Sequence, residues 1–243
     1  NTIYTEKNKG KAPKIVAIGG GTGLSVLLRG LKNYSNNISA IITVSDDGGS
    51  SGRLRRELGV IPPGDFRNCL VALSDTEPLL TELFQYRFNQ GDGLKGHSFG
   101  NLFIAAMNDL TRSFPEALMQ SSKILAVKGE IIPATLQNLK LIAKLEDGEE
   151  IQGESYIGKT KSKIKKLSIS PINTKAYPPA LNKIKESDII IIGPGSLYTS
   201  IIPNLSIKDI TKAINESNAC KIYVCNIATQ IGETNGYTMQ EHI

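Results

Sequence analysis

The chain has 243 residues, 40% apolar, 21% charged and 6% aromatic, with no tryptophan. Those fractions exclude disorder, a collagenous repeat or a disulfide framework as descriptions of the whole chain, and the length fits one large domain or two small ones. The formal charge of +5 is unevenly placed: residues 1–14 carry +3 and residues 159–166 carry +5, leaving −3 on the rest.

That distribution argues against a nucleic-acid-binding stripe. No apolar run reaches the roughly 18–20 residues that cross a bilayer, so no membrane association is expected. Cys69, Cys220 and Cys225 make no metal-binding spacing and read as buried, reduced thiols of a cytoplasmic protein. Alternation across 159–166 puts Lys159, Lys161, Lys163 and Lys165 on one side of a strand. Lysines protecting a sheet edge explain it; an acidic partner is the alternative.

Residues 1–13 read as a flexible lead-in. Lys14 to Ile18 (K-I-V-A-I) is a short β-branched run stopped by glycines, which predicts a buried parallel strand. Leu24, Leu27, Leu28 and Leu31 recur at helical spacing, and Ile38 to Val44 is the next strand, so the unit is strand–helix–strand. A long Gly/Ser/Arg-rich loop holds a short helix over 53–58. Helices then run from Asp65, as N-cap, to Ser74, from Pro78 to Phe88, from Ser98 to Leu110 and from Pro115 to Ser122.

From about 124 to 172, short apolar runs broken by turns, with a D-G hairpin signal at Asp147–Gly148, read as an antiparallel β insertion. Helix 178–186, strand 188–192, helix 206–217 and strand 221–225 restore the alternation. The sum is an α/β fold: a Rossmann-like, doubly wound, mainly parallel sheet with a β-rich insertion, in one domain over 14–243. Gln240 to Ile243 reads as the first turn of another helix, and the chain is expected to continue past it.

Glycine-rich turns at the ends of predicted strands carry the chemistry. Gly19 to Leu24 (G-G-G-T-G-L) lets main chain approach a ligand and offers helix-start N–H groups to a phosphate. It has neither the G-x-G-x-x-G dinucleotide spacing nor the Lys-Ser/Thr pair of a Walker A loop. Ser45 to Arg56 (S-D-D-G-G-S-S-G-R-L-R-R) places Asp46 or Asp47 to accept hydrogen bonds from ribose hydroxyls or to hold Mg²⁺. Its glycines and Ser50 can wrap a phosphate, with Arg53 or Arg55 as a clamp. Asp65, in P-P-G-D-F-R-N, is either a helix cap or, with Arg67, part of the same cleft.

His97 and Asn101, in G-H-S-F-G-N-L, stand at a helix entrance, where the dipole keeps a histidine neutral. Gly193, Gly195 and Ser196 repeat the phosphate-turn logic, with Tyr198 placed to stack on a base. Asn226, Thr229, Gln230 and Glu233 offer polar groups to a uracil edge or a sugar. No Ser/His/Asp or Cys/His spacing reveals a nucleophile with its base.

In this order, G-G-G-T-G-L, S-D-D-G-G-S-S-G-R-L-R, P-P-G-D, H-S-F-G-N-L, G-P-G-S-L-Y-T-S and G-E-T-N-G-Y-T resemble the CofD-like family. Within it they resemble the bacterial YvcK branch of gluconeogenesis factors, from about Lys14 onward. The resemblance implies a nucleotide diphosphate on Gly20, Gly21, Thr22 and Gly23 and on Gly195 and Ser196, with the Asp46–Asp47 loop, His97 and Asn101 close by. It implies a regulator that binds UDP-N-acetylglucosamine or UDP-glucose, supports gluconeogenic growth, cell shape and peptidoglycan synthesis, and acts through an unidentified protein partner. A homo-oligomer stays open. The alternative is the other branch's activity: transfer of a phospholactate group to a deazaflavin-like acceptor with Mg²⁺, for which Asp46, Asp65 and His97 are the catalytic candidates.

Overall fold

The computed structural model describes residues 12–76, 78–160 and 162–242. The expected lead-in over 1–13 therefore falls almost wholly outside the described residues. β1 (Ile15–Gly19) runs into α1 (Gly21–Leu31), and β2 (Ile38–Ile42) follows in parallel register, Ala17 opposite Ala40. Both strands are buried along their whole length, which is why their sequences, I-V-A-I-G and I-S-A-I-I, do not alternate: helices cover both faces.

Five helices come next: α2 (Gly49–Leu58), α3 (Gly64–Leu73), α4 (Pro78–Gln85), α5 (Phe99–Thr111) and α6 (Phe114–Ile124). α3 is the central one. Phe66, Cys69, Leu70 and Leu73 on it are fully buried, and it packs against α1, whose Leu24 and Leu28 face the core.

β3 (Glu130–Pro133) then pairs in parallel with β2, Ala40 opposite Ile131. This corrects the expected insertion of 124–172 at its first end. The run Ile131–Ile132 is too short to show whether it belongs to a hairpin or to the buried sheet. The antiparallel part consists of β4 (Lys140–Leu145), β5 (Glu150–Gln152) and β6 (Ile164–Ser170), ordered β5-β4-β6 and interrupted by α7 (Glu154–Ile157). The D-G turn between β4 and β5 is as expected, with Gly148 at φ +92°.

The lysine alternation fails. Lys159 lies in a turn, β6 starts only at Ile164, and Lys161 lies outside the described residues. A register shift opposite Lys144 and Leu145 also breaks the period-2 pattern that a regular strand would keep.

The main sheet closes with α8 (Pro178–Glu186), β7 (Ile189–Ile192), a π-helical turn at Leu197–Ile201 running into α9 (Ile202–Leu205), α10 (Lys208–Glu216) and β8 (Cys220–Tyr223). Its strand order is β3-β2-β1-β7-β8, all parallel. The order reverses between β1 and β7, so the topological switch point lies there. β8 is an exposed edge and carries Cys220 out to solvent, while Cys225 is half-buried; only Cys69 is the enclosed thiol the sequence implied for all. Among the described residues no helix is long and apolar enough to cross a membrane.

The Phe66 ring meets Phe114 edge-on, with centroids 5.0 Å apart, and joins α3 to α6 beneath the sheet. Replacing it by alanine leaves a void that neither helix can close. Phe66→Ala is expected to lower unfolding stability by about 3–5 kcal/mol, read from urea midpoints at unchanged slope.

Candidate functional site

A cavity of about 420 Å³ sits at the switch point, lined by Gly20 to Gly23, Gly195, Ser196, Ser200 and Asn226 to Gln230. Its walls touch main chain to main chain. A Cβ on Gly23 would lie 2.8 Å from the Pro194 carbonyl oxygen and 3.1 Å from the Gly195 nitrogen, so only glycine lets the two turns close. Gly21 begins α1 at φ +65°. Residues Gly21 to Gly23 of the first helical turn line the cavity and bring the positive end of the helix dipole to it.

The far wall is knitted by amide side chains. Asn226 Nδ2 donates to the Gly195 carbonyl at 2.8 Å, and Gln230 Nε2 donates to Ser196 Oγ at 2.9 Å. No ionisable side chain is among the described residues that line this cavity. What it offers a ligand is N–H groups, hydroxyls and amides.

The end of β2, beside the cavity, has the opposite character. The Gly21 amide hydrogen-bonds Asp65, and a Cβ on Gly20 would lie 2.6 Å from Asp65 Oδ2. Burial, then the charge of Asp46, pushes the Asp65 carboxyl up to about 6. Asp46 is raised for the same first reason, burial, although Gly48 N–H donates to its Oδ1 at 2.9 Å. Glu154, reaching in from α7, accepts from Ser45 Oγ at 2.7 Å; burial and then the charges of Asp46 and Asp65 lift its carboxyl well above the usual range.

A family model described as 2-phospho-L-lactate transferase CofD matches residues 15–243. The chain belongs to the CofD family. Among its relatives is a Nostoc sp. protein, 64% identical over 233 residues that make up 96% of this chain and 51% of that protein. The gluconeogenesis factor of Bacillus subtilis is 52% identical over 234 residues, 96% of this chain and 74% of the relative. A crystal structure of a UPF0052-family protein from Bacillus halodurans has a TM-score of 0.93 and 52% identity, covering 96% of this chain and 74% of that one. The chain spans about half the length of some curated relatives it matches, 51% and 54% for the Nostoc and Clostridium acetobutylicum proteins.

In this CofD-family chain the candidate residues divide into groups. Gly20, Gly21, Thr22, Gly23, Gly195, Ser196, Asn226, Thr229 and Gln230 share the cavity. Asp46 and Asp65 stand beside it. Asp47 turns away: its Oδ1 accepts the Ser155 N–H at 2.8 Å, and a Cβ on Gly153 would lie 2.4 Å from its Oδ2, so it docks the insertion. Asp65 is not the N-cap of α3, since Pro63 holds that position and Gly64 precedes Asp65 inside the helix; the carboxylate is thereby released toward Gly21.

Ser50, His97 and Asn101 form a buried cluster that joins α2 to α5 and does not line the cavity. His97 Nδ1 pairs with Ser50 Oγ at 2.9 Å, and Asn101 Nδ2 donates to Ser50 Oγ at 3.1 Å. Burial, then Arg53, lowers the His97 pKa, and only 3% of the residue is exposed. Arg53 itself donates to the Lys95 carbonyl. Arg55 donates to the carbonyls of Val44, Ser45 and Asp46 from behind the loop, and Arg67 is buried with Asn68 as its side-chain partner.

Tyr198 does not line the cavity; its hydroxyl pairs with that of Tyr237 at 2.8 Å. Glu233 accepts from Thr199 Oγ1 at 3.0 Å and the Tyr198 N–H at 3.1 Å, so it holds the π-turn. Sequence reasoning included Ser45 and Ser200 in its motifs without giving either a role of its own, and it missed Glu154. For Glu154 no local signal exists, because its partner Ser45 lies 109 residues earlier.

The raised Asp65 carboxyl has a stability consequence. The folded state keeps its proton up to about pH 6, whereas the unfolded chain releases it near 3.8, so Asp65 destabilises the fold as pH rises through that window. In metal-free buffer Asp65→Asn is expected to exceed the wild type in unfolding stability above about pH 6, by on the order of 1–3 kcal/mol. Below about pH 4 the two urea curves are expected to coincide.

Proposed function

We propose that this chain binds a nucleotide sugar, UDP-N-acetylglucosamine or UDP-glucose, with its diphosphate in the switch-point cavity. The observation that carries the reading is the composition of that cavity: two glycine turns in main-chain contact, a helix N-terminus and amide side chains, with no acidic side chain in the lining itself. A diphosphate suits such donors because backbone N–H groups and the helix dipole stabilise its charge without desolvating a counter-ion. Asn226, Thr229 and Gln230 would meet the uracil or sugar. Asp46 would lie toward the sugar side. The relatives' name, gluconeogenesis factor, agrees with a role in sugar metabolism. On this reading the protein is a cytoplasmic regulator that acts through a protein partner.

A second reading, transfer of a phosphate-linked group, is favoured by the acidic end of β2. Mg²⁺ needs only one or two carboxylates and keeps its waters, and the pair left for it is Asp46 and Asp65, since Asp47 is engaged by Ser155. There the ion would offset the mutual repulsion of the two carboxylates and neutralise a diphosphate leaving group. Among the described residues no group of three or more His, Cys, Asp or Glu side chains is arranged to hold a metal. His97, buried against Ser50, serves this reading only as a support for the start of α2.

Calorimetric titration with UDP-N-acetylglucosamine and UDP-glucose tests the first reading. Saturable heat is expected from one of them, and Ala228→Trp, which fills the cavity from an exposed position, is expected to weaken it at least tenfold. Silence with both sugars, or an unchanged affinity in Ala228→Trp, would refute it. Metal-dependent consumption of a nucleoside diphosphate donor would establish the second.

A further inference from the structure

A second polar cavity, of about 500 Å³, lies behind the Ser45–Asp47 loop, between α2 and the insertion. It has no lining residue in common with the switch-point cavity. Three cations, Arg55, Arg56 and Lys140, converge on it from α2 and the start of β4. Its single carboxylate, Asp47, is engaged by the Ser155 amide at 2.8 Å.

Arg55 is structural, its fork donating to the carbonyls of Val44, Ser45 and Asp46 and to Asn138. Arg56 and Lys140 are exposed, and among the described residues neither is in a salt bridge. Gln152 and Tyr156 complete a rim rich in hydrogen-bond donors.

The positive charge continues along one face of the insertion. Lys140, Ile142 and Lys144 alternate with the inward Leu141, Ala143 and Leu145, and Lys144 stands directly opposite Lys166 on β6. Like charges in a cross-strand pair are unfavourable. Glu150 on the other flank of Lys144 offsets one of them. Of these lysines, Lys140 is the one that lines the cavity.

We propose that this cleft is a second ligand site, for a small phosphate-bearing molecule held by Arg56 and Lys140. Its volume is within the range of small-molecule sites, roughly 300–1,000 Å³. Its lining fits phosphate better than a sugar or an apolar group. A guanidinium fork and an ammonium meet the charge, and the amides of Asn138 and Gln152 and the Tyr156 hydroxyl can donate to the remaining oxygens. The site is separate from the diphosphate site of the proposed function, and it stands or falls without it.

Pyrophosphate, titrated calorimetrically, is the probe, and Ala228→Trp is the background, so that the switch-point cavity is filled. Saturable binding is expected in that background, weakened at least tenfold when Arg56→Glu and Lys140→Glu are added, and retained when Arg56→Lys and Lys140→Arg are added instead. Arg56 and Lys140 are both exposed, so these changes leave the core intact, which matching circular dichroism and melting midpoints check. The proposal is overturned if pyrophosphate gives no heat in Ala228→Trp, or if the charge-reversed protein binds it as well as its parent. Because no nucleotide sugar enters this experiment, failure here leaves the switch-point reading untouched, and the reverse holds as well.

Discussion

The contact on which the site depends is between two stretches of main chain. Where the strand order reverses, the turn after β1 and the turn after β7 approach until the Cα of Gly23 faces the Pro194 carbonyl, with no room for a Cβ between them. Asn204, fully buried on α9, fastens the junction by donating to the carbonyls of Gly19, at 3.1 Å, and Ser200, at 2.8 Å. The Gly19 carbonyl already accepts the Thr43 N–H at 3.0 Å, so the buried amide adds a second bond there and ties the end of β1 to the π-turn. The cavity is therefore walled by backbone rather than by long side chains. Such a wall loses little entropy when a ligand arrives.

From this follows a division of charge. The donors of the switch point are neutral and fixed, whereas the carboxylates gather one strand away, at the end of β2. Burial raises the pKa of Asp46, Asp65 and Glu154 there, and the charge of Asp46 adds to the shifts of the other two, which means that the fold holds acid groups together at a cost in stability. Unfavourable local electrostatics of this kind concentrate at functional sites, because stability alone would select neutral residues. The glycines nearby are sized to the carboxylates: Gly20 makes room for Asp65, and Gly64 for Ser51 and Asp46.

The doubly wound sheet was legible because its strands are continuous β-branched runs ended by glycine, a pattern that only two-sided burial explains. The motif turns were legible for the same reason: main chain must approach something, and glycine marks where. Side-chain direction was not. Asp46 and Asp47 are neighbours with identical chemistry, yet one stands beside the crevice and the other docks Ser155, a partner 108 residues away. His97 carries the composition of a ligand contact but packs against Ser50, because a loop residue gains hydrogen-bond partners from helices that sequence spacing cannot locate. β3 was hidden by brevity, its two isoleucines fitting either sheet.

The loop from Ser45 to Gly48 is the element that these observations join. Its front carries Asp46 beside the acidic end of β2, and its back is gripped by the Arg55 guanidinium through the carbonyls of Val44, Ser45 and Asp46. Burial lowers the pKa of Arg55, and the charges of Asp47, Asp46 and Glu154 hold it up, so the loop lies between groups of opposite sign that restrain each other. The insertion completes the arrangement through Glu154 on Ser45 and Ser155 on Asp47, so both sides of the loop depend on a segment distant in sequence. A single layer of main chain thus separates an acidic surface from a basic one. Neither surface can be remodelled without moving the hydrogen bonds that position the other.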